Sequence, residues 1–225
     1  QVFEAEQKRD KLICKGNKEF ITKFFSLNED FESIKNHLLK DNITRIAYQK
    51  YPGIRILQQD LWECLISFVC SSASNIPKIR KNIELLSKKF GEKNNFPKPG
   101  KIDDLKLIKE CKTGFRAKYI YEINKIVNHA WLEKVKKSNY QTAKQMLIEL
   151  PGVGEKIADC VCLFALRHQE SFPVDVWIKR IVENNYLKKT SNYKEIQEFA
   201  RKRFGKYAGY SQQYLYHWGR LNRSI

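Results

Sequence analysis

Apolar residues recur at helical spacing over most of this 225-residue chain, and strand-like signals are confined to about its first fifteen residues. Val2-Phe3 and Leu12-Ile13-Cys14 flank the polar stretch Gln7-Lys8-Arg9-Asp10, which predicts one short hairpin. From Asp30 onward the period becomes 3.6, beginning with Phe31, Ile34 and Leu38. Asp60-Leu61-Trp62-Glu63 reads as a capping box that opens a buried apolar helix to Val69. Ile79, Ile83 and Leu86 form the inner face of a helix over Ile76 to Phe90, and Gly91 is expected to end it in a left-handed conformation. Two prolines and a glycine make Asn94 to Gly100 a loop, too short to act as a linker between domains.

Further helices are predicted around Asp103 to Cys111 and, after a turn at Thr113-Gly114, as one long element from Arg116 to Leu132. Thr142-Ala143-Lys144-Gln145 reads as a second capping box. Helices are also expected over Val176 to Tyr186, Asn192 to Phe204 and Ala208 to Asn222. The pattern specifies a mainly α body in two helical layers with a cleft between them, preceded by a small antiparallel hairpin.

Composition narrows the partners. Lysine and arginine total 42 against 25 acidic residues, a net charge of +17, which favours a polyanion and nucleic acid before other classes. A lysine-rich solvated helical face would give some of the same excess. No run reaches the roughly 18 apolar residues of a membrane span, and the start lacks a signal-peptide core, so the sequence reads as soluble and intracellular with no membrane partner. Cys14, Cys64, Cys70, Cys111, Cys160 and Cys162 show no CxxC pairing and read as reduced thiols.

The chemistry concentrates in Leu150-Pro151-Gly152-Val153-Gly154-Glu155-Lys156-Ile157-Ala158-Asp159-Cys160. A Pro-Gly-Val-Gly turn between two helices lets backbone N–H groups approach a phosphate at a helix N-terminus. Lys156 then falls in the first turn of an apolar helix, an unusual place for a long cation. Alone it also fits a phosphate contact in a non-catalytic hairpin, and Asp175 ahead of a helix alone fits an N-cap.

Together with Phe172-Pro173-Val174-Asp175-Val176, this stretch resembles the helix–hairpin–helix signature, with its Gly/Pro-rich loop and aspartate, of base-excision DNA glycosylases. Within that superfamily it is most similar to the 8-oxoguanine DNA glycosylase/lyases. The likeness runs from about Gln1 to the end and includes Gly53-Ile54-Arg55, Ser67 to Ser72, Gly114-Phe115-Arg116-Ala117 and Tyr207 to Gln212. It implies a two-lobed helical body over residues 23–225, with the hairpin at about 142–166, and an N-terminal β-sheet remnant over residues 1–22. Gln1-Val2-Phe3 resembles the middle of the family's sheet, so its first strands are expected to be missing from this sequence.

The resemblance makes Lys156 the nucleophile and Asp175 the carboxylate that faces the developing sugar cation. An amine attacking C1′ leaves a Schiff base, which permits β-elimination of the 3′ phosphate, so a lyase activity is expected as well. The attacking amine must be unprotonated; burial favours that form and a facing carboxylate opposes it. Cys160 and Tyr216 are expected to sandwich the extruded base and Gln212 to hydrogen-bond its Watson–Crick edge. Tyr216 stands where animal members usually have phenylalanine, and core packing is the plain alternative for Cys160 and Tyr216. The family's glycine carbonyl that reads the oxidised base lies upstream of this sequence.

Gly152, Val153, Gly154, Trp177 and Lys179 are expected to contact DNA phosphate, although Trp177 replaces a histidine of many relatives and adds no charge. Facing the opposite base, relatives selective for cytosine carry an asparagine wedge and two arginines. Here Ala73 and Ser74 occupy the wedge, Lys78 replaces one arginine, and Phe115 and Arg116 are left to fill the stack and donate to cytosine. Relaxed opposite-base selectivity follows. No cysteine follows Cys162, so an iron–sulfur cluster is not expected, nor is a catalytic metal; the resemblance allows a structural monovalent or divalent cation at the hairpin carbonyls. The expected partner is duplex DNA containing oxidised guanine, bound by a monomer in the cytoplasm or nucleoid of a prokaryote or the nucleus of a eukaryote. A glycosylase for another damaged base and a non-catalytic DNA-binding module remain alternatives.

Overall fold

The structure is a computed structural model that describes residues 3–9 and 11–221. Residues Gln1, Val2, Asp10 and Asn222 named above lie outside those residues. Strands β1 (Glu4–Lys8) and β2 (Lys11–Lys15) pair antiparallel with Ala5 opposite Cys14, and they are the strands found among the described residues. Phe3 anchors the hairpin by packing edge-on against Phe20, Phe24 and Phe25. Phe20 and Phe24 belong to α1 (Lys18–Phe24), a helix that the sequence pattern did not signal.

The helical body comprises α2 (Phe31–Leu38), α3 (Asn42–Lys50), α4 (Leu61–Ser71), α5 (Ile76–Phe90), α6 (Leu105–Glu110), α7 (Arg116–Ile126), α8 (His129–Lys136), α9 (Tyr140–Ile148), α10 (Glu155–Phe164), α11 (Val176–Val182), α12 (Tyr193–Phe204) and α13 (Ala208–Leu221). Helices α4 to α10 surround one apolar core, built on Leu65, Ile66, Ile120, Leu147, Ala158 and Val161. Helices α11 to α13 surround a second, around Phe172, Ile178, Ile181 and Phe204. A third joins α2 and α3 to α13 through Ile34, Leu38, Tyr210 and Tyr214, and takes in Leu163 of α10. The end of α10 therefore docks on the second lobe while its start belongs to the first.

Four local expectations are corrected. Gly91 is extended, at φ −90°, not left-handed; it is required because a Cβ there would lie 1.8 Å from the Asn95 carbonyl oxygen. The helix expected from Arg116 to Leu132 breaks at Val127-Asn128, where Asn128 accepts from Trp131 N and starts α8. Helix α9 begins at Tyr140, ahead of the expected box, because Asn139 caps it by accepting from Thr142 N. Helix α11 ends at Val182 and passes into a π-turn over Glu183–Leu187. The reciprocal capping box lies at Asn192 and Glu195, opening α12.

Candidate active site

The hairpin between α9 and α10 closes on Gly152, which has φ +75°. A Cβ there would meet the Tyr119 ring at 2.5 Å, so side chains are barred by both conformation and space. Tyr119 in turn meets Phe115 edge-on at 6.4 Å, which ties the hairpin turn to the start of α7. Val153 is buried and gives its N–H to the Leu150 carbonyl at 3.1 Å. Gly154 is the N-cap of α10 with no side-chain cap, and a Cβ at that position would face open space. The exposed approach to the α10 N-terminus thus runs past Gly154.

Lys156 is half-buried in the first turn of α10. Its Nζ makes one long contact to Ser71 Oγ, at 3.5 Å, and sits 5.3 Å from the Phe68 ring centroid. Ser71 donates to the Phe68 carbonyl at 2.7 Å, and Phe68 stacks on Phe164 at 5.6 Å. The last turn of α4 is therefore the seat of the lysine. One turn along α10, Cys160 is 4% exposed yet belongs to none of the three apolar cores. Burial pushes its thiol up to about 12; the charge of Lys156 opposes that rise, and those of Asp159 and Asp175 reinforce it. The thiol is neutral at physiological pH, and it feels both Lys156 and Asp175.

Asp175 is the N-cap of α11, its Oδ1 accepting from Ile178 N at 2.8 Å. It is half-buried and follows the buried run Phe172 to Val174. From α13, the buried Gln212 donates through Nε2 to the Pro173 carbonyl at 3.0 Å and accepts from Gln213 Nε2 at 2.5 Å. These bonds orient its amide beside the Asp175 loop. Tyr216, one turn later, is partly buried against the core around Phe172 and Ile178. Trp177 is partly buried under the Arg180 guanidinium, at 5.9 Å, and Lys179 reaches Glu183 at 3.7 Å.

Near the end of α4, Ala73 is exposed with φ +46°, and the Ser74 hydroxyl oxygen is buried without a hydrogen-bond partner. Lys78 is exposed in the first turn of α5, where its N–H donates to Asn75 Oδ1. Phe115 is 60% exposed, the largest apolar side chain offered to solvent in this region. Arg116 is 2% exposed and donates to the carbonyls of Ser72, Ala73 and Thr113.

Sequence reasoning missed the support beneath the site. Asp159, fully buried on α10, accepts from Tyr140 OH at 2.6 Å, Lys144 Nζ at 3.1 Å and Gln197 Nε2 at 3.0 Å. Tyr193 OH and Ser171 Oγ complete its shell. The Tyr140 and Tyr193 hydroxyls are pushed well above the usual range by burial first and by the Asp159 charge second, so both stay protonated donors. Ser71, Gln213 and Asp159 carried no periodic or spacing signal.

Among the described residues, no group of three or more His, Cys, Asp or Glu is placed to hold a metal, and no helix is long and apolar enough to cross a membrane.

The family model for the N-terminal domain of 8-oxoguanine DNA glycosylase matches residues 2–65. A probable N-glycosylase/DNA lyase of Methanothermobacter thermautotrophicus is 30% identical over 234 residues, covering 90% of this chain and 75% of that protein. The N-glycosylase/DNA lyase of Saccharomyces cerevisiae is 32% identical over 193 residues; the match covers 75% of this chain and 51% of the yeast protein. The chain thus spans about half the length of that relative. Among solved structures, the 8-oxoguanine glycosylase/lyase of Clostridium acetobutylicum, in complex with double-stranded DNA containing cytosine opposite 8-oxoguanine, superposes with a TM-score of 0.91 at 32% identity. That likeness covers 99% of this chain and 83% of the other.

Proposed function

As the chain belongs to the 8-oxoguanine DNA glycosylase/lyase family of helix–hairpin–helix enzymes, we propose that it excises 8-oxoguanine from duplex DNA with Lys156 as nucleophile and then nicks the abasic site. The observation that carries this reading is the grouping of Lys156, Cys160 and Asp175, with Gln212 fastened to the same loop through Pro173. The Lys156 amine adds to C1′ as the bond to the base N9 breaks, and Asp175 opposes the positive charge that develops on the sugar. The adduct nitrogen loses a proton and the C1′–O4′ bond opens to give the Schiff base, which acidifies the C2′ proton; loss of that proton expels the 3′ phosphate. Cys160, as a neutral thiol, and Tyr216 offer the two faces of a base pocket, and Gln212 offers a polar edge.

DNA phosphate approaches the α10 N-terminus past Gly154, where helix dipole and uncapped backbone favour an anion. Opposite the lesion, Phe115 fills the stack, Ala73 lacks an amide, and Lys78 gives a point charge in place of a planar fork. Excision is therefore proposed opposite all four bases with a modest bias toward cytosine. The enzyme acts as a monomer, inside the cell where genomic DNA lies. The hairpin carbonyls suit a hard structural cation, since Leu150 O, which accepts from Val153 N, retains a second lone pair. Unchanged excision in EDTA is expected.

The test is to incubate the protein with duplexes that each carry a single lesion and to trap any Schiff base with borohydride. A crosslink to the 8-oxoguanine duplex is the expected result. Crosslinking to a different lesion alone would reassign the substrate, and no crosslink to any lesion would leave a DNA-binding module.

A further inference from the structure

We propose that Lys144 is a positioning residue for the bound duplex: it draws the Glu155 carboxylate to one side of α10, so that a DNA phosphate can take the free N–H groups at the helix start. The inference rests on the phosphate approach past Gly154 proposed above.

Glu155 is the first residue of α10, and it puts a negative charge where the polyanion is to arrive. The first backbone bond of the helix runs from Ala158 N to the Gly154 carbonyl at 3.0 Å, so the N–H groups of Glu155, Lys156 and Ile157 have no carbonyl partner within it. Gly154 offers no side chain to cap them. A carboxylate one residue away is itself a good ligand for such groups, because the positive end of the helix dipole favours any anion. Left free, Glu155 would compete with the phosphate and repel it.

The side chain is not free. Its Oε2 pairs with Lys144 Nζ of α9 at 2.7 Å. Lys144 is 13% exposed, bonds the fully buried Asp159 at 3.1 Å, and lies over the Tyr140 and Tyr193 rings at 5.8 and 5.4 Å. The ammonium is thus fixed from below, and the exposed Glu155 side chain comes to it. Glu155 and Asp159 share the α9 side of the helix as an i, i+4 pair, while Lys156 and Cys160 share another side. The pairing therefore turns the acidic side chain away from the face that carries the amine.

Two substitutions at Glu155 separate this role from that of a plain stabilising ion pair. Glu155→Asp keeps the charge but withdraws the carboxylate by about 1.5 Å, one carbon–carbon bond, out of hydrogen-bond reach of the fixed ammonium. Glu155→Gln keeps the length and removes the charge. Affinity is read by fluorescence anisotropy on a duplex carrying a tetrahydrofuran abasic analogue, which the amine cannot attack. We expect the aspartate variant to bind about 5-fold more weakly, the effect of one charge at a helix N-terminus, and the glutamine variant to stay within about twofold of the wild type. The aspartate deficit should shrink as salt is raised, because exposed charges are screened. Lys144→Met should repeat the loss, and Glu155→Gln in the same chain should reverse it. If the methionine variant does not fold, because Asp159 has lost its cation, the two Glu155 variants decide alone. Equal affinity of the aspartate variant and the wild type, equal weakening of both Glu155 variants, or a gap that salt does not alter overturns the proposal. A wild-type protein that binds no duplex overturns it together with the DNA reading. One that binds the duplex but releases no 8-oxoguanine loses only the substrate assignment, and the Glu155 comparison still decides the role of Lys144.

Discussion

Lys156 and Asp159 lie three residues apart on α10 and are held in opposite ways. Lys156 is half-buried, with a long contact to Ser71 and a hydrogen bond to the neutral Cys160 thiol. Asp159 is fully buried, and donors from α9, α12 and the loop before α11 saturate it. The helix thus turns one face to the cleft, where a side chain must stay free to react, and the other to a polar hub that fixes the helix against its neighbours. Gln197, which bonds both Asp159 and the Phe172 carbonyl, extends that hub toward the Asp175 loop. The proposed reaction calls for a loosely held nucleophile on a rigidly held backbone, since the amine would move through addition and elimination while its origin stays fixed.

The contrast is broken most completely by Lys156→Gln. The amide keeps length and a polar tip but has no nucleophilic amine, so base release and strand nicking should both vanish, with lesion binding and thermal midpoint nearly unchanged. Nicking that persists in a gel assay would remove Lys156 from its role. The converse variant is Asp159→Ala, which breaks the Lys144–Asp159 pair, leaves Lys144 with Glu155 at 2.7 Å as its remaining carboxylate, and strips Tyr140, Tyr193 and Gln197 of the acceptor they share. A broken buried ion pair costs about 3–5 kcal/mol, and a denaturant titration should show a loss of that size. A stable Asp159→Ala protein would show that the hub adds little to the fold.

Asp175 stands between these extremes, as the cap of α11 and, in the proposed reaction, a catalyst. Asparagine preserves an oxygen for Ile178 N but not the charge, so Asp175→Asn should keep its unfolding midpoint while single-turnover excision slows by about 10²-fold or more. Unfolding of this variant would favour the cap as its main role. A smaller effect is expected at the opposite-base edge. Lys78→Arg combined with Ala73→Asn should raise the preference for cytosine by about 1–3 kcal/mol, as one bidentate contact does, measured as the ratio of excision rates across the four opposite bases. A wild-type protein that already rejects adenine, guanine and thymine would place selectivity elsewhere.

The smallest effect compares Asp159 with a second buried carboxylate. Burial would raise the Asp41 pKa, but the Thr44 N–H, Arg203 and Tyr186 outweigh it and hold the carboxyl below its usual 3.8. A depressed carboxylate contributes stability above its unfolded value that is lost as pH falls through the folded one. The gap in thermal midpoint between wild type and Asp41→Asn should therefore be constant near neutrality and narrow below about pH 4. A gap that widens in acid would contradict the sign.

The sequence by itself determined the elements whose cause is local. Hydrophobic period specified α4, α5 and α12, side-chain caps such as Asp60 and Asn192 set their starts, and the Pro-Gly turn fixed the hairpin that carries Lys156. Asp175 was legible as a cap for the same reason: a short-range bond to Ile178 N needs no tertiary contact. Only the tertiary structure decided what depends on distant partners. Gly91 is extended because the Asn95 carbonyl occupies the space of a side chain. The seat of Lys156 comes from Ser71, 85 residues away, and the Asp159 hub draws on residues up to 38 positions distant. Arg116 has the composition of a surface cation and becomes a buried strut because three carbonyls converge on it. Period and spacing report which face of an element is apolar; they carry no record of which polar groups the packed faces bring together, and here that meeting sets the geometry of the site.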